Sequence, residues 1–347
     1  MAGADDWDCS IQKRGSIGTY ISGPDEVSCL RRLVMPSDTY FDGSAAIMRA
    51  GGASGAGLGG TLRIMIVGGA GMLGHQLFLQ LRSSHEVKST LRGDVGSPGG
   101  RRLFDCSNAY GGVDVEAPDR LLQVVAEFRP EVIINSVGLV KQLDLSKCSI
   151  PSLQINALLP HRLALVARAA GARLLHFSTD CVFSGRKGMY SETDIADAED
   201  LYGRSKLLGE VDEPHCLTLR TSLIGHALER NSSLLEWFLS QEKRVRGFRR
   251  AIFSGFTTIE LARIVQMLLE KHPKAHGIWH VSSEPINKYA LLHLVKKHYG
   301  VATEIVPDDE FVCDRSLDST RFREHFNYRP PSWESMIAEM SNNRSSP

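Results

Sequence analysis

Ile66-Val67-Gly68-Gly69-Ala70-Gly71-Met72-Leu73-Gly74 is the stretch that decides the fold. Before it, Leu62-Arg63-Ile64-Met65-Ile66-Val67 is a nearly unbroken apolar run, the signature of a short strand buried on both faces. After it, His75-Gln76-Leu77-Phe78-Leu79-Gln80-Leu81 reads as a helix. Between them, Gly68, Gly71 and Gly74 give the spacing G-x-x-G-x-x-G. Glycine permits the sharp turn and lets backbone N–H groups approach a pyrophosphate at a helix N-terminus, where the helix dipole favours negative charge. Strand before and helix after are the context a dinucleotide site requires. The turn Gly68, Gly71, Met72, Leu73 and Gly74 is therefore the expected cofactor cradle.

The next strand bears on which dinucleotide. Glu86 to Leu91 reads as that strand, with Arg92-Gly93 just past its end. An NAD site usually carries Asp or Glu there, to bind the ribose 2′-hydroxyl. Here the place holds Ser89, Thr90 and Arg92. A guanidinium can pair with a 2′-phosphate, which favours NADPH. NADH remains the alternative, with Asp94 as the ribose partner.

From residue 62 onward, strand and helix alternate. Asp119 to Phe128 reads as a helix and Glu131 to Asn135 as a strand. Arg102-Leu103-Phe104 reads as another strand. Ser152 to Ala170 reads as one long helix ended by Gly171. Leu174 to Phe177 is a strand, residues 201–210 begin a helix, and Cys216 to Arg220 is a strand. The expectation is an α/β fold: a Rossmann-type, doubly wound parallel sheet over residues 62–222, with a smaller C-terminal substrate-binding lobe, mainly 223–340, interleaved with it. Short apolar runs at Gly277–Val281 and Thr303–Val306 belong to that later region.

Residues 1–61 differ from the rest. Six glycines fall in residues 51–60, and residues 1–49 carry no helical or strand period. Such a segment cannot bury enough apolar surface to offset its ordering entropy, so disorder is expected. Leu62 stands where an initiator would, so the extension can also be read as upstream sequence.

The chain of 347 residues has formal net charge zero and 42% hydrophobic residues, an ordinary globular balance. Neutrality gives no support for nucleic acid as partner. No apolar stretch approaches the ~18 residues of a membrane helix. The seven cysteines are scattered, with no metal spacing, so no metal is expected. Reduced thiols and the absence of a signal peptide point to the cytoplasm.

Tyr202 and Lys206 are four residues apart in a helical stretch, so they share one face. A lysine ammonium beside a phenol is expected to lower its pKa and fit it for acid–base work. Ser178 and Thr179 follow the Leu174–Phe177 strand, where open α/β sheets bind ligands. A hydroxyl there can bond both a substrate carbonyl and Tyr202. The chemistry is hydride transfer between a nicotinamide and a carbonyl, with catalytic residues Tyr202, Lys206 and Thr179. Asn156 sits inside the long helix, an unfavourable place without a role, such as holding a water or a kink near Lys206.

These residues carry a resemblance. Residues 62 to about 340 resemble the extended short-chain dehydrogenase/reductases, and within them the dTDP-4-dehydrorhamnose reductase group. The matching stretches are the glycine turn, Phe177-Ser178-Thr179-Asp180-Cys181-Val182-Phe183, Tyr190-Ser191-Glu192, Tyr202-Gly203-Arg204-Ser205-Lys206, Leu219-Arg220-Thr221-Ser222, Gly277-Ile278-Trp279-His280 and Arg315-Ser316-Leu317-Asp318. The resemblance implies that Tyr202 protonates the C4 oxygen and that Lys206 holds the nicotinamide ribose. It implies that Asp105 contacts adenine and that Asn135 to Gly138 line the cofactor. The implied substrate is a nucleotide-linked 4-keto-6-deoxyhexose, and a homodimer is compatible with the reading. Asp180 and Lys141, with Arg249 and Arg250 from the basic run at residues 243–250, are candidate substrate contacts.

Departures bear on the sugar. Cys181 stands where the group commonly has an aromatic, and Leu223 where it has Trp. Lys141-Gln142 is similar to enzymes acting on UDP-N-acetyl sugars. The alternatives are therefore a reductase of a UDP-linked 4-keto-6-deoxy-N-acetylhexosamine, an epimerase or dehydratase, and a non-catalytic NADP-binding regulatory subunit. The usual Asp-Glu after the catalytic Thr is absent, which weighs against a dehydratase.

Overall fold

The apolar run before the glycine turn forms strand β1 (Arg63–Val67), and the residues after it form helix α1 (Gly74–Leu81). The structure, a computed structural model, describes residues 60–96, 103–140, 148–228 and 233–343. The expectation of disorder in the N-terminal extension thus falls, but for residues 60 and 61, outside the described residues.

β1 lies inside a seven-stranded sheet, next to its central strand β4 (Val132–Asn135). The partners of β1 are β2 (Glu86–Thr90), which pairs with β3 (Ala109–Tyr110), and β4, followed by β5 (Arg173–Thr179), β6 (Cys216–Thr221) and β10 (Gly277–His280). The order is β10-β6-β5-β4-β1-β2-β3, and every pairing is parallel. Ile64, Ile66, Leu175, Leu217 and Leu219 face one layer, which holds α1 and α7 (Thr258–Lys271). Met65, Val67, Ile133 and Leu174 face the other, which holds α2 (Pro118–Phe128) and α4 (Leu159–Ala169). Burial on both faces explains why these strands read as continuous apolar runs rather than alternating ones.

Two local expectations are corrected. Leu103 and Phe104 are buried but not in a strand; the third strand is Ala109–Tyr110. Asp105 turns the chain between them, accepting the Ser107 backbone N–H at 2.7 Å as an Asx turn does. The helix expected over Ser152–Ala170 starts earlier, as α3 (Ser149–Ser152), and is broken by a wide π turn over Leu153–Leu158 before α4. Pro160 has no N–H to give the Asn156 carbonyl four residues back. The wider turn takes up the mismatch at that point. The run from Gly277 joins the main sheet as its edge beside β6, while the run at residue 303 leads into a separate sheet.

That second sheet builds the smaller C-terminal lobe. Strand β8 (Arg244–Phe253) pairs in parallel with β12 (Glu304–Asp314) and antiparallel with β11 (Ile286–Asn287). Helix α8 (Lys288–Tyr299) packs against β8. A short pair, β7 (Leu223–Ile224) with β9 (Phe256–Thr257), lies between the two sheets in the chain. Among the described residues no helix is long and apolar enough to cross a membrane.

Candidate active site

The glycine turn is forced by its neighbours. Gly68 has φ +90°, where L side chains rarely sit. A Cβ on Gly74 would lie 2.1 Å from the Gly68 carbonyl, and one on Gly69 would lie 2.4 Å from Ser89 Cβ. The turn is braced from both flanks: Thr90 Oγ1 accepts the Gly68 N–H at 3.2 Å, and Ser136 Oγ donates to the Val67 carbonyl at 2.7 Å. At the N-terminus of α1 no side chain caps the helix and no acidic residue stands in its first turn. The free N–H groups of that turn therefore face no competing anion from their own helix. Ser89 adds a buried hydroxyl with no hydrogen-bond partner, under Gly69. The residues fit a dinucleotide.

Other expected cofactor contacts fall out unevenly. Arg92 is exposed just past β2, with Asp94 exposed two residues on. Asp105 is exposed, its carboxylate engaged by Ser107 and held below the usual carboxylate range by those hydrogen bonds. Asn135 is buried at the end of β4: its Oδ1 accepts the Val137 N–H at 3.1 Å, and its amide meets His176 Nδ1 at 3.1 Å. Its side chain thus ties β4 to β5. Gly138 is exposed beside Asn156, with 3.6 Å from its Cβ position to Asn156 Oδ1. Asn156 is fully buried. Its Oδ1 accepts the Leu139 N–H at 2.9 Å, while its amide donates to the Leu139 carbonyl at 3.1 Å and to Ser205 Oγ at 3.3 Å. It therefore joins the loop after β4 to helix α5 (Leu201–Leu208) at the π turn.

Thr179, Tyr202 and Lys206 are brought together at the carboxyl end of β5. Asp200 caps α5 by accepting the Gly203 N–H at 2.8 Å, which sets Tyr202 in the first turn. Gly203 is required there, since a Cβ would lie 2.1 Å from the Cys181 carbonyl. The Thr179 hydroxyl stands near the Tyr202 phenol and opposes the rise of its pKa. It also donates to Asp180 at 3.0 Å and accepts the Cys181 N–H at 3.1 Å.

The electrostatics differ from the sequence expectation. Burial pushes the Tyr202 phenol well above its ordinary pKa, and Cys181, Asp180 and Asp200 push the same way. Lys206 does not point its ammonium at the phenol: Nζ donates to the Phe177 carbonyl at 2.6 Å. Burial lowers Lys206 to about 8, with Glu210 opposing that shift. Tyr202 is thus a phenol held in its protonated form.

The other candidates separate from this group. Asp180 is buried beside Thr179. Arg249 and Arg250 lie on β8, where Arg249 forms a two-pronged pair with Asp309 and Arg246 pairs with Asp308. Two arginines of the basic run are thus paired with the neighbouring strand, which speaks against Arg249 as a free diphosphate clamp. Lys141 lies outside the described residues. At the departures, Cys181 is half-buried with Arg315 Nη1 3.8 Å from its Sγ, and Leu223 is half-buried at the start of β7. Among the described residues no cluster of His, Cys, Asp or Glu could hold a metal. Sequence reasoning overlooked Glu210. It is buried under the site, and its spacing was visible: Tyr202, Lys206 and Glu210 recur every four residues.

The chain is similar to several known proteins. The chain is 25% identical to a dTDP-4-dehydrorhamnose reductase of Aggregatibacter actinomycetemcomitans over 249 residues, covering 64% of this chain and 84% of that one. It is 31% identical over 151 residues to the methionine adenosyltransferase 2 subunit beta of Xenopus laevis, covering 43% of this chain and 41% of that one. Among solved structures, a hypothetical dTDP-4-dehydrorhamnose reductase from Sulfolobus tokodaii superposes with TM-score 0.64 at 28% identity, covering 79% of this chain and 99% of that one. Residues 62–345 match the family model of the RmlD substrate binding domain, and the chain belongs to that family.

Proposed function

We propose that this chain is an NADPH-dependent reductase of the C4 ketone of a nucleotide-linked 4-keto-6-deoxyhexose. The observation that carries the reading is the convergence of Thr179, Tyr202 and Lys206 at the end of β5, one strand from the glycine turn's own neighbour β4. Relatives named as dTDP-4-dehydrorhamnose reductases support the substrate class. When bound, the nicotinamide supplies the hydride.

The residues do the rest. The amides at the start of α1 bind the pyrophosphate and fix the cofactor's depth in the crevice. Thr179 and Tyr202 converge on the ketone oxygen and orient it. As C4 gains hydride, the Tyr202 phenol gives its proton to O4, so the ketone leaves as an alcohol. The phenol carries its proton at working pH, so the proton is there to give. Lys206, charged below about pH 8, holds the ribose hydroxyls and the end of β5 in register. Arg92, exposed past β2, is the proposed partner of the 2′-phosphate.

The test is Tyr202→Phe, assayed for NADPH consumption on a panel of dTDP- and UDP-linked 4-keto sugars, with cofactor titration alongside. Loss of general acid catalysis should cost ~10²–10⁴ in turnover and leave cofactor affinity near wild type. Unchanged turnover ends the assignment. A second reading, a cofactor-binding regulatory subunit, is favoured by the likeness to methionine adenosyltransferase 2 subunit beta. It expects NADPH to bind and none to be consumed.

A further inference from the structure

A buried polar chain runs beneath the site, through the carboxyl ends of three adjacent strands. Glu210 Oε1 accepts the Ser178 hydroxyl at 2.6 Å and Arg220 Nε at 2.7 Å, and Oε2 accepts Arg220 Nη2 at 2.7 Å. Both side chains of that pair are less than a tenth exposed. Arg220 Nη1 then meets His280 Nε2 at 3.1 Å, and His280 Nδ1 meets the Tyr190 carbonyl at 2.9 Å. Arg220 can only donate, so His280 Nε2 is the acceptor and Nδ1 carries the proton. His280 is thus a neutral link, in keeping with the lowering of its pKa by burial.

This chain grips the strand beside the residue that Lys206 grips. Lys206 donates to the carbonyl of Phe177, and Ser178, the next residue, donates to Glu210. Thr179 follows. We propose that Glu210 is a positioning residue of the active site: pinned by Arg220 and Ser178, its carboxylate is the counter-charge that seats the buried Lys206 ammonium on β5. The proposal rests on the reading of Lys206 as part of the nicotinamide site.

The charge arithmetic is specific. The titratable groups of the region are His176 on β5 with His161 on α4 near it, Tyr202 on the helix of Lys206 with Cys181, Asp180 and Asp200 acting on its phenol, and Glu210 with Arg220 on β6 and neutral His280 behind it. His176 is fully buried and held neutral, and Lys206 itself helps to hold it so. Glu210 is the anion that acts on Lys206, and it is also paired with Arg220. A guanidinium keeps its proton at any working pH. With the anion removed, Lys206 is the cation that must yield.

The decisive measurement is the titration of Lys206 in the full chain. It is followed through lysine Cε resonances in labelled protein, the signal being assigned by its loss in Lys206→Met. Glu210→Gln should lower the proton affinity of Lys206 by roughly tenfold or more, one pKa unit. Arg220→Gln, which removes the competing cation, should raise it. Glu210→Asp should keep the midpoint near that of the unaltered chain. Shifts of opposite sign are the signature, because a purely structural role would not invert with the sign of the deleted charge. If both Gln variants shift the midpoint the same way, or neither does, the proposal falls. Should Glu210→Gln not fold, Arg220→Gln decides alone: a rise supports the proposal and no rise overturns it. The titration needs no substrate, so failure of every 4-keto sugar to turn over would remove the assigned reaction and leave this result standing.

Discussion

Gly74→Ala is the sharpest test of the cofactor cradle. The added Cβ would sit 2.1 Å from the Gly68 carbonyl oxygen, more than 1 Å inside an ordinary contact, and 2.9 Å from Ser136 Oγ. That carbonyl already accepts the Gly71 N–H at 3.1 Å and Ser136 Oγ at 3.1 Å. Ser136 Oγ can turn aside, but the Gly68 carbonyl is backbone, so α1 must move away from β1. Overpacking of this kind costs about 1–3 kcal/mol of stability. The same shift carries the first amides of α1 off the pyrophosphate. One lost charge-assisted hydrogen bond is worth about 1.5–3 kcal/mol, or roughly ten- to a hundredfold in affinity. The assay is fluorescence titration of NADPH into the full chain, paired with urea unfolding. Gly247→Ala is the control: its Cβ would lie 2.6 Å from Ile305 Cγ2, a similar intrusion in the small sheet. It should lower stability and leave cofactor affinity unchanged. A Gly74→Ala chain that binds NADPH as tightly as the unaltered chain would refute the cradle.

The remaining predictions concern charge. Arg92→Glu should weaken NADPH specifically and narrow its preference over NADH, because a like charge replaces the phosphate partner; equal NADPH affinity in the variant would make Arg92 a plain loop residue. Lys206 should leave a mark on stability against pH. Its folded pKa of about 8 lies below the ordinary 10.5, so between those values the folded chain binds fewer protons than the unfolded chain, and stability rises with pH. Across the whole window this amounts to about 3 kcal/mol. Cys216 acts oppositely at higher pH, since burial raises its thiol to about 12 and ionisation is easier in the unfolded chain. Urea unfolding of the unaltered chain minus that of Lys206→Met isolates the lysine: the difference should rise from pH 8 to 9.5, and a flat difference would deny the depressed pKa.

What the sequence by itself determined is what depends on near neighbours in the chain. The glycine spacing between an apolar run and a helix called for the β1–turn–α1 unit, because only glycine tolerates φ +90° at Gly68 and the carbonyl packed against Gly74. The four-residue spacing put Tyr202 and Lys206 on one face of α5, and continuous apolar strands called for a sheet covered on both sides. Only tertiary structure decided the rest. The proline four residues after Asn156 was visible, but the π turn that grips Leu139 needs a partner 17 residues away. The strand at Gly277 could be assigned to the main sheet only once β6 lay beside it. Arg246 and Arg249 of β8 read as part of a free basic run until β12 brought Asp308 and Asp309 against them. Lys206 read as the tyrosine's activator until the Phe177 carbonyl, 29 residues distant, accepted its hydrogen bond. In each case the deciding interaction falls steeply with distance, and distance between remote residues is set by the packed fold rather than by spacing along the chain.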